Sequence, residues 1–422
     1  MKTAGLSLDQ APPIDIPFKF FLTASLFSVI IGLLLIVKGE EVFLSRWTPL
    51  ALGITHLITI GFLAQVMTGA MIQLLPVLAG SPIPAVITIS RIIHLSLLSG
   101  AILLVTGFIF SHRFSLFAGA GLLAAAFTLF LIAALISLVS SGIRHNNAVS
   151  LGLGWLAIVP AVAIGIYLAM GLTGIASVSD MSRLTAIHLS WGVLGWVGIV
   201  LFATVFQLIP IFYVTKEIPT HIRHIAFAVI FSLLILYSLS HVIASRLFEN
   251  SLVLIVMLFL LLGITVLYAI HRRKRKILDI TLLFVLTGLV FLVLAAIVWV
   301  VGDYDLIVGV LLLGGVCLTI PIGIIYKVIP FLCWFHLQSL QVKQEKFSYS
   351  LPSMKHFISD KDAKRHYYLH VGAIFMVIIS IVFPGPIVRL SGIVFSLSSI
   401  YFLKNVLFAF LAFRREQKAL YV

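Results

Sequence analysis

Twelve apolar stretches follow one another along this chain, near 17–37, 49–75, 91–111, 114–140, 151–174, 186–213, 225–246, 250–270, 279–301, 305–333, 368–388 and 390–413. A helix rises about 1.5 Å per residue, so roughly 20 apolar residues cross the hydrocarbon of a bilayer. Membrane strands are only about 10 residues long and alternate in polarity, and no stretch here alternates. The pattern predicts an all-α polytopic membrane protein. Composition agrees: 61% of the residues are hydrophobic and 10% charged, where soluble chains carry about a quarter charged.

The net charge of +14 excludes nucleic acid as the natural partner once its distribution is followed. With the N-terminus placed in the cytoplasm, the inward segments hold Lys2, Lys19, Arg91, Arg144, Lys216, Arg223, the run HRRKRK at 271–276, seven Lys/Arg from Lys327 to Arg365, and Arg414, Arg415 and Lys418. The outward segments hold Lys38, Arg46, Arg113, Arg183, Arg246 and Arg389. That asymmetry predicts cytoplasmic N- and C-termini and a multi-pass protein of a bacterial inner membrane, with basic loops beside anionic headgroups. No cleavable signal is evident. Cys317 and Cys333 lie in or beside the tenth helix, so no disulfide and no thiolate metal motif is expected.

Short connections predict one membrane domain over 1–422, interrupted by a polar cytoplasmic loop near 335–366. The second helix ends Gln73-Leu-Leu-Pro76, the sixth Gln207-Leu-Ile-Pro210 and the tenth Lys327-Val-Ile-Pro330. A period of four helices implies three parallel units, about 17–140, 151–270 and 279–413. The expected architecture is a pseudo-threefold ring of twelve helices.

The thirteen histidines sort by depth. His112, His145, His221, His271, His336 and His356 fall in loops or at helix ends. His94, His224, His366 and His370 fall at the starts of helices three, seven and eleven, where interfacial snorkelling or capping is expected. His56, His188 and His241 fall about 5–10 Å inside the outer interface. Imidazole is a preferred ligand for iron, copper and zinc, and a polar side chain at membrane depth marks a functional site. Each of the three could instead bond a neighbouring helix. Gly192, Gly195 and Gly198 follow His188; small residues there admit either another helix or a flat macrocycle. The tenth helix carries no histidine in its membrane portion. Other polar groups gather near the two faces, with the middle expected nearly bare. Lys404 and Asn405 interrupt the last helix, the lysine as a snorkelling group.

Helix order and the placement of His56, His188 and His241 resemble the heme–copper oxidase subunit I superfamily. The stretch His56 to Pro76 looks like the second helix of nitric oxide reductase large subunits. Pro17-Phe-Lys19-Phe-Phe-Leu and HLSWGVLG at 188–195 are similar to NnrS-type proteins, twelve-helix proteins of the bacterial nitric-oxide response that bind heme and copper. The resemblance implies that His56 is an axial ligand of a b-type heme, beside Gly192 and Gly195. His188 and His241 would hold copper, non-heme iron or the same heme. The superfamily's His-x-His pair in helix ten is absent, so a complete oxygen-reducing binuclear centre is not expected.

The function implied is heme-linked nitric oxide or respiratory redox chemistry, with a small gas such as nitric oxide as ligand and a partner protein or quinol as electron donor. The protein would be an oxidoreductase or a sensor. Two alternatives stay open: a metal or small-solute transporter, and a non-catalytic assembly subunit on the same scaffold.

Overall fold

In the computed structural model the described residues are 12–79, 83–140, 148–243 and 250–421. They are helical, without strands. Twelve helices are long and apolar enough to cross a membrane: α1 Asp15–Val42, α2 Pro49–Pro76, α3 Val86–Ile109, α4 Arg113–Ser140, α5 Val149–Leu172, α6 Met181–Tyr213, α7 Thr220–Ser240, α8 Ser251–His271, α9 Ile280–Val301, α10 Asp305–Lys343, α11 Asp360–Val382 and α12 Pro386–Tyr421. All twelve coincide with the apolar stretches of the sequence. His145 lies outside the described residues.

Helices α2, α6 and α10 are the most enclosed, with 72%, 67% and 61% of their most apolar windows buried. They touch one another: α2 and α6 through His56 and His188, α6 and α10 through Phe212 and Phe331, α2 and α10 through backbone packing near their middles. Around them α3 packs on α4, α4 on α5, α8 on α9, α11 on α12, and α12 returns to α1. Outward faces carry exposed Leu, Ile, Val and Phe, among them Val37, Leu135, Met257 and Val300, as lipid contact requires.

Each of the three inner helices contains a π segment, at Leu57–Ala64, Ser190–Gly198 and Val310–Leu318. A π turn inserts an extra residue and frequently marks a functional site.

The α1–α2 and α9–α10 pairs are packed by the same device. On α1, Phe20-x-x-Thr23-x-x-x-Phe27 faces Gly69 and Gly61 of α2; a Cβ would come within 2.5 Å of Phe20 at Gly69 and within 2.8 Å of Phe27 at Gly61. On α9, Phe284-x-x-Thr287-x-x-x-Phe291 faces Gly323 and Gly315 of α10; the corresponding distances are 2.3 Å to Phe284 and 2.6 Å to Phe291. The intervening threonines also match. Thr23 bonds His94 Nε2 of α3 at 2.8 Å, and Thr287 bonds the Tyr367 hydroxyl of α11 at 2.7 Å.

The polar segment near 335–366 is shorter than expected, because α10 continues to Lys343. Its remainder is tied down. Gln341 Nε2 donates to Tyr349 O at 2.6 Å, the Tyr349 hydroxyl donates to Glu416, and His356 Nε2 lies 3.2 Å from Glu416 Oε1. A four-residue helix, Met354–Phe357, precedes α11.

Candidate functional site: paired imidazoles inside the helix bundle

The start of α2 is set by Thr48, whose hydroxyl accepts from Ala51 N at 3.2 Å, with Pro49 in the first turn. Such a cap and proline fix where the helix begins. Asp180 does the same for α6, accepting from Arg183 N at 2.9 Å. His56 is seven residues past Pro49 and His188 seven past Met181, so both rings lie about 10 Å along their helices. The structure brings them together: the ring centres are 6.2 Å apart with planes 25° from parallel.

Each ring is anchored through Nδ1. His56 Nδ1 lies 2.7 Å from Leu52 O on its own helix. His188 Nδ1 lies 2.8 Å from Ala161 O on α5. A carbonyl only accepts, so Nδ1 carries the proton in both rings and the lone pair sits on Nε2. Backbone carbonyls in this role are the usual outer partners of metal-bound histidines; they fix the tautomer and raise the basicity of the free nitrogen. Phe108 of α3 backs His56 with ring centres 5.0 Å apart. Gly165 of α5 seats His188; a Cβ there would stand 2.9 Å from Cε1.

Two neutral imidazoles with free Nε2 atoms could hold a transition metal or a heme iron, to which imidazole nitrogen binds at about 2.0–2.1 Å. Both histidines are half-buried rather than sealed. A Cβ on Gly192, one turn past His188, would meet no heavy atom within 4 Å. Gly195 serves close packing, its Cβ position being 3.0 Å from both Ala157 and Leu234. Gly198 does likewise, 2.6 Å from Phe259. The side chain of His241 lies outside the described residues. Among the described residues, no three His, Cys, Asp or Glu side chains converge as a metal site.

The membrane interior is less bare than expected. Gln65 and Thr68 of α2 are 0% exposed, and Gln65 Nε2 and Oε1 and Thr68 Oγ1 have no hydrogen-bond partner. Gln73, one of the repeated pre-proline positions, is also buried with both amide atoms unpaired. Buried polar atoms of this kind call for water or a ligand.

Its counterpart Lys327 is instead a structural clasp. Nζ is 2.7 Å from Asp279 Oδ2 and 5.3 Å from the Tyr213 ring centre, while the Tyr213 hydroxyl donates to Asp279 Oδ1 at 2.6 Å. The clasp joins α6, α9 and α10.

His366 and His370 depart most from their expected interfacial place. They are 1% and 3% exposed, with ring centres 5.8 Å apart, in the interior between α10, α11 and α12. The snorkelling reading fails because α10 and α12 cover this face of α11 and the hydroxyls of Thr319 and Ser398 each bond one ring nitrogen inside. The four-residue spacing was the only sequence signal for this pair. Asn405 is likewise buried, donating to the Tyr326 hydroxyl at 2.9 Å. Lys404 does reach outward, with Nζ 3.5 Å from Asp362.

No protein-family model matches the chain, and comparison with curated proteins returns no significant match.

Proposed function

We propose that this polytopic protein binds a b-type heme through His56 and His188 and serves nitric oxide or respiratory redox chemistry in a bacterial inner membrane, with both termini cytoplasmic. The observation that carries the reading is the His56–His188 pair, 6.2 Å between ring centres, each Nδ1 tied to a carbonyl and each Nε2 left as the donor. Leu52 O and Ala161 O hold the rings in the ligating tautomer. Phe108 packs against His56, and Gly192, one turn past His188, adds no side chain on that stretch of α6. A heme iron held in this way supplies one-electron chemistry. Copper or non-heme iron between the same two nitrogens is the variant of this reading. The matching Phe–Gly packing of α1–α2 and α9–α10 relates the first and third of the three proposed units.

The absorption spectrum of the detergent-purified protein, oxidised and dithionite-reduced, with metal analysis of the same sample, tests the reading. A Soret band with sharp α and β bands on reduction, lost in His56→Ala and in His188→Ala, is the expected result. Colourless protein from heme-replete cells overturns it, and metal without colour moves the pair to a non-heme centre. A solute transporter is the second reading. It is favoured by Gln65 and Thr68, whose unpaired polar atoms lie inside α2.

A further inference from the structure

A cavity of about 220 Å³ lies where α1 begins and where α10 and α12 end. Its polar wall is Asp15, Ser339, Lys343, Arg414 and Gln417, and its apolar wall includes Phe335, Leu340 and Phe413. The apolar stretches 17–37 and 390–413 stop within two residues of Asp15 and Arg414. The cavity therefore sits at the level where hydrocarbon gives way to lipid headgroups.

Hydrogen bonding around it is unbalanced. Arg414 donates from Nη2 to Asp15 Oδ2 at 2.6 Å and from Nη1 to Gln417 Oε1 at 3.0 Å. Asp15 Oδ1 is buried and has no partner. Among the described residues Lys343 has no ion-pair partner, and the Ser339 hydroxyl and Gln417 Nε2 have no hydrogen-bond partner. Ser339 and Lys343 are four residues apart on α10 and so share one face of it. His336 lies one turn earlier on α10; its Nδ1 is 2.9 Å from Leu332 O and its Nε2 3.2 Å from Pro12 O. Both ring nitrogens are thus committed, and the ring ties α10 to the residues just before α1. Of the formal charges on the wall, Lys343 and Arg414 against Asp15 leave one positive charge unmatched.

We infer that the cavity holds the headgroup of one acidic phospholipid that carries a free hydroxyl, a phosphatidylglycerol. Its phosphodiester brings the single negative charge that the wall lacks, and its oxygens accept from Lys343 Nζ, the Ser339 hydroxyl and Gln417 Nε2. The headgroup hydroxyl donates to Asp15 Oδ1. Choline offers no hydrogen to that oxygen, and ethanolamine cancels the charge that Lys343 calls for. Pockets that enclose a whole drug-sized ligand measure roughly 300–1,000 Å³, so this smaller one takes a headgroup and leaves the acyl chains outside. The site shares no residue with His56 or His188 and does not rest on the heme reading.

Native mass spectrometry of the full-length protein in detergent, titrated with phosphatidylglycerol, phosphatidylethanolamine or phosphatidylcholine, tests the proposal. Wild type is expected to retain one phosphatidylglycerol, held at least about tenfold tighter than the other two lipids, the order of one hydrogen bond to a charged group. Lys343 is exposed, so Lys343→Gln leaves the fold intact; it should weaken binding by about tenfold or more. Ser339→Leu, which fills the cavity without changing charge, should weaken it as well. Lys274→Gln, which removes the same charge from the basic run 271–276, should change it less than about twofold, since salt screens a distant exposed charge. Equal losses in Lys343→Gln and Lys274→Gln, equal retention of the three lipids, or undiminished binding in Ser339→Leu would show a general attraction of the basic face and overturn the site. Displacement of the lipid by an equal concentration of glycerol 3-phosphate would make this a site for a soluble phosphate and overturn the lipid. No retained lipid in wild type, the result if the chain's own residues 1–11 fill the cavity, also overturns it.

Discussion

The ring of His188 rests on Gly165: a methyl group at that position would stand 2.9 Å from its Cε1. This contact and the bond from Nδ1 to Ala161 O at 2.8 Å come from one short stretch of α5, so that stretch sets both the tilt and the tautomer of the ring. Gly165→Ala should tilt the imidazole with little loss of fold, because α5 keeps its helix propensity. If His188 ligates heme, the expected outcome is a shift of the reduced spectrum from low-spin toward high-spin, read on protein that still elutes as a single species. An unchanged spectrum would mean that His188 is not a ligand.

Gly69 and Gly323 are predicted to be equivalent. A Cβ at Gly69 would lie 2.5 Å from the Phe20 Cβ, and one at Gly323 2.3 Å from the Phe284 Cβ. Neither neighbour is the far end of a flexible chain, so the helices themselves must separate. Gly69→Ala and Gly323→Ala should each destabilise by about 1–3 kcal/mol, read as thermal unfolding in detergent. Adding Phe20→Gly to the first and Phe284→Gly to the second removes the clashing Cβ, so each double variant should lose less than the sum of its two singles. Purely additive effects would show that the Gly–Phe contacts are not coupled.

Lys327 and Asp279 are side chains of about one-fifth exposure joined at 2.7 Å. Lys327→Met leaves Asp279 with the Tyr213 hydroxyl and the Leu282 amide as partners. The expected loss is about 1.5–3 kcal/mol. The double variant Lys327→Met/Asp279→Asn should lose less than the sum of the two singles, since neither charge is then stranded. Thermal melts of the four proteins form the cycle. Coupling indistinguishable from zero would remove Lys327 as the clasp between α6, α9 and α10.

The segment between α10 and α11 is predicted to respond to alkali. The hydrogen bond from the Tyr349 hydroxyl to Glu416, with lesser help from burial and the carboxylate charge, raises the phenol from its ordinary value of 10.0 to about 12. A raised value means the protonated phenol is favoured in the folded state. Its contribution is therefore complete below pH about 10 and lost as pH rises through about 12. Tyrosinate absorbance should show a tyrosine titrating near pH 12 that Tyr349→Phe removes. A Tyr349→Phe protein with an unchanged alkaline titration would contradict the contact.

Much of this protein was legible in its sequence. The twelve spans follow from apolar run length alone, because hydrocarbon thickness imposes a length on any helix that crosses it. The equal depth of His56 and His188 follows from counting residues along two helices that run the same way. The motif Phe20-x-x-Thr23-x-x-x-Phe27, repeated as Phe284-x-x-Thr287-x-x-x-Phe291, was equally readable, but its meaning depends on the glycines opposite.

What only the tertiary structure decided is which polar groups meet. His366 and His370 look interfacial when counted from the start of α11, since a linear count gives depth along one helix and not the cover provided by α10 and α12. Gln65 and Thr68 stand in an otherwise apolar run, and only the enclosure of α2 makes their unpaired atoms significant. Depth is a one-dimensional property, fixed by helix rise against bilayer thickness, and the amino-acid order determines it. Convergence of side chains from different helices depends on helix rotation and packing, where glycines, phenylalanines and π segments set the angles, and that is decided only in three dimensions.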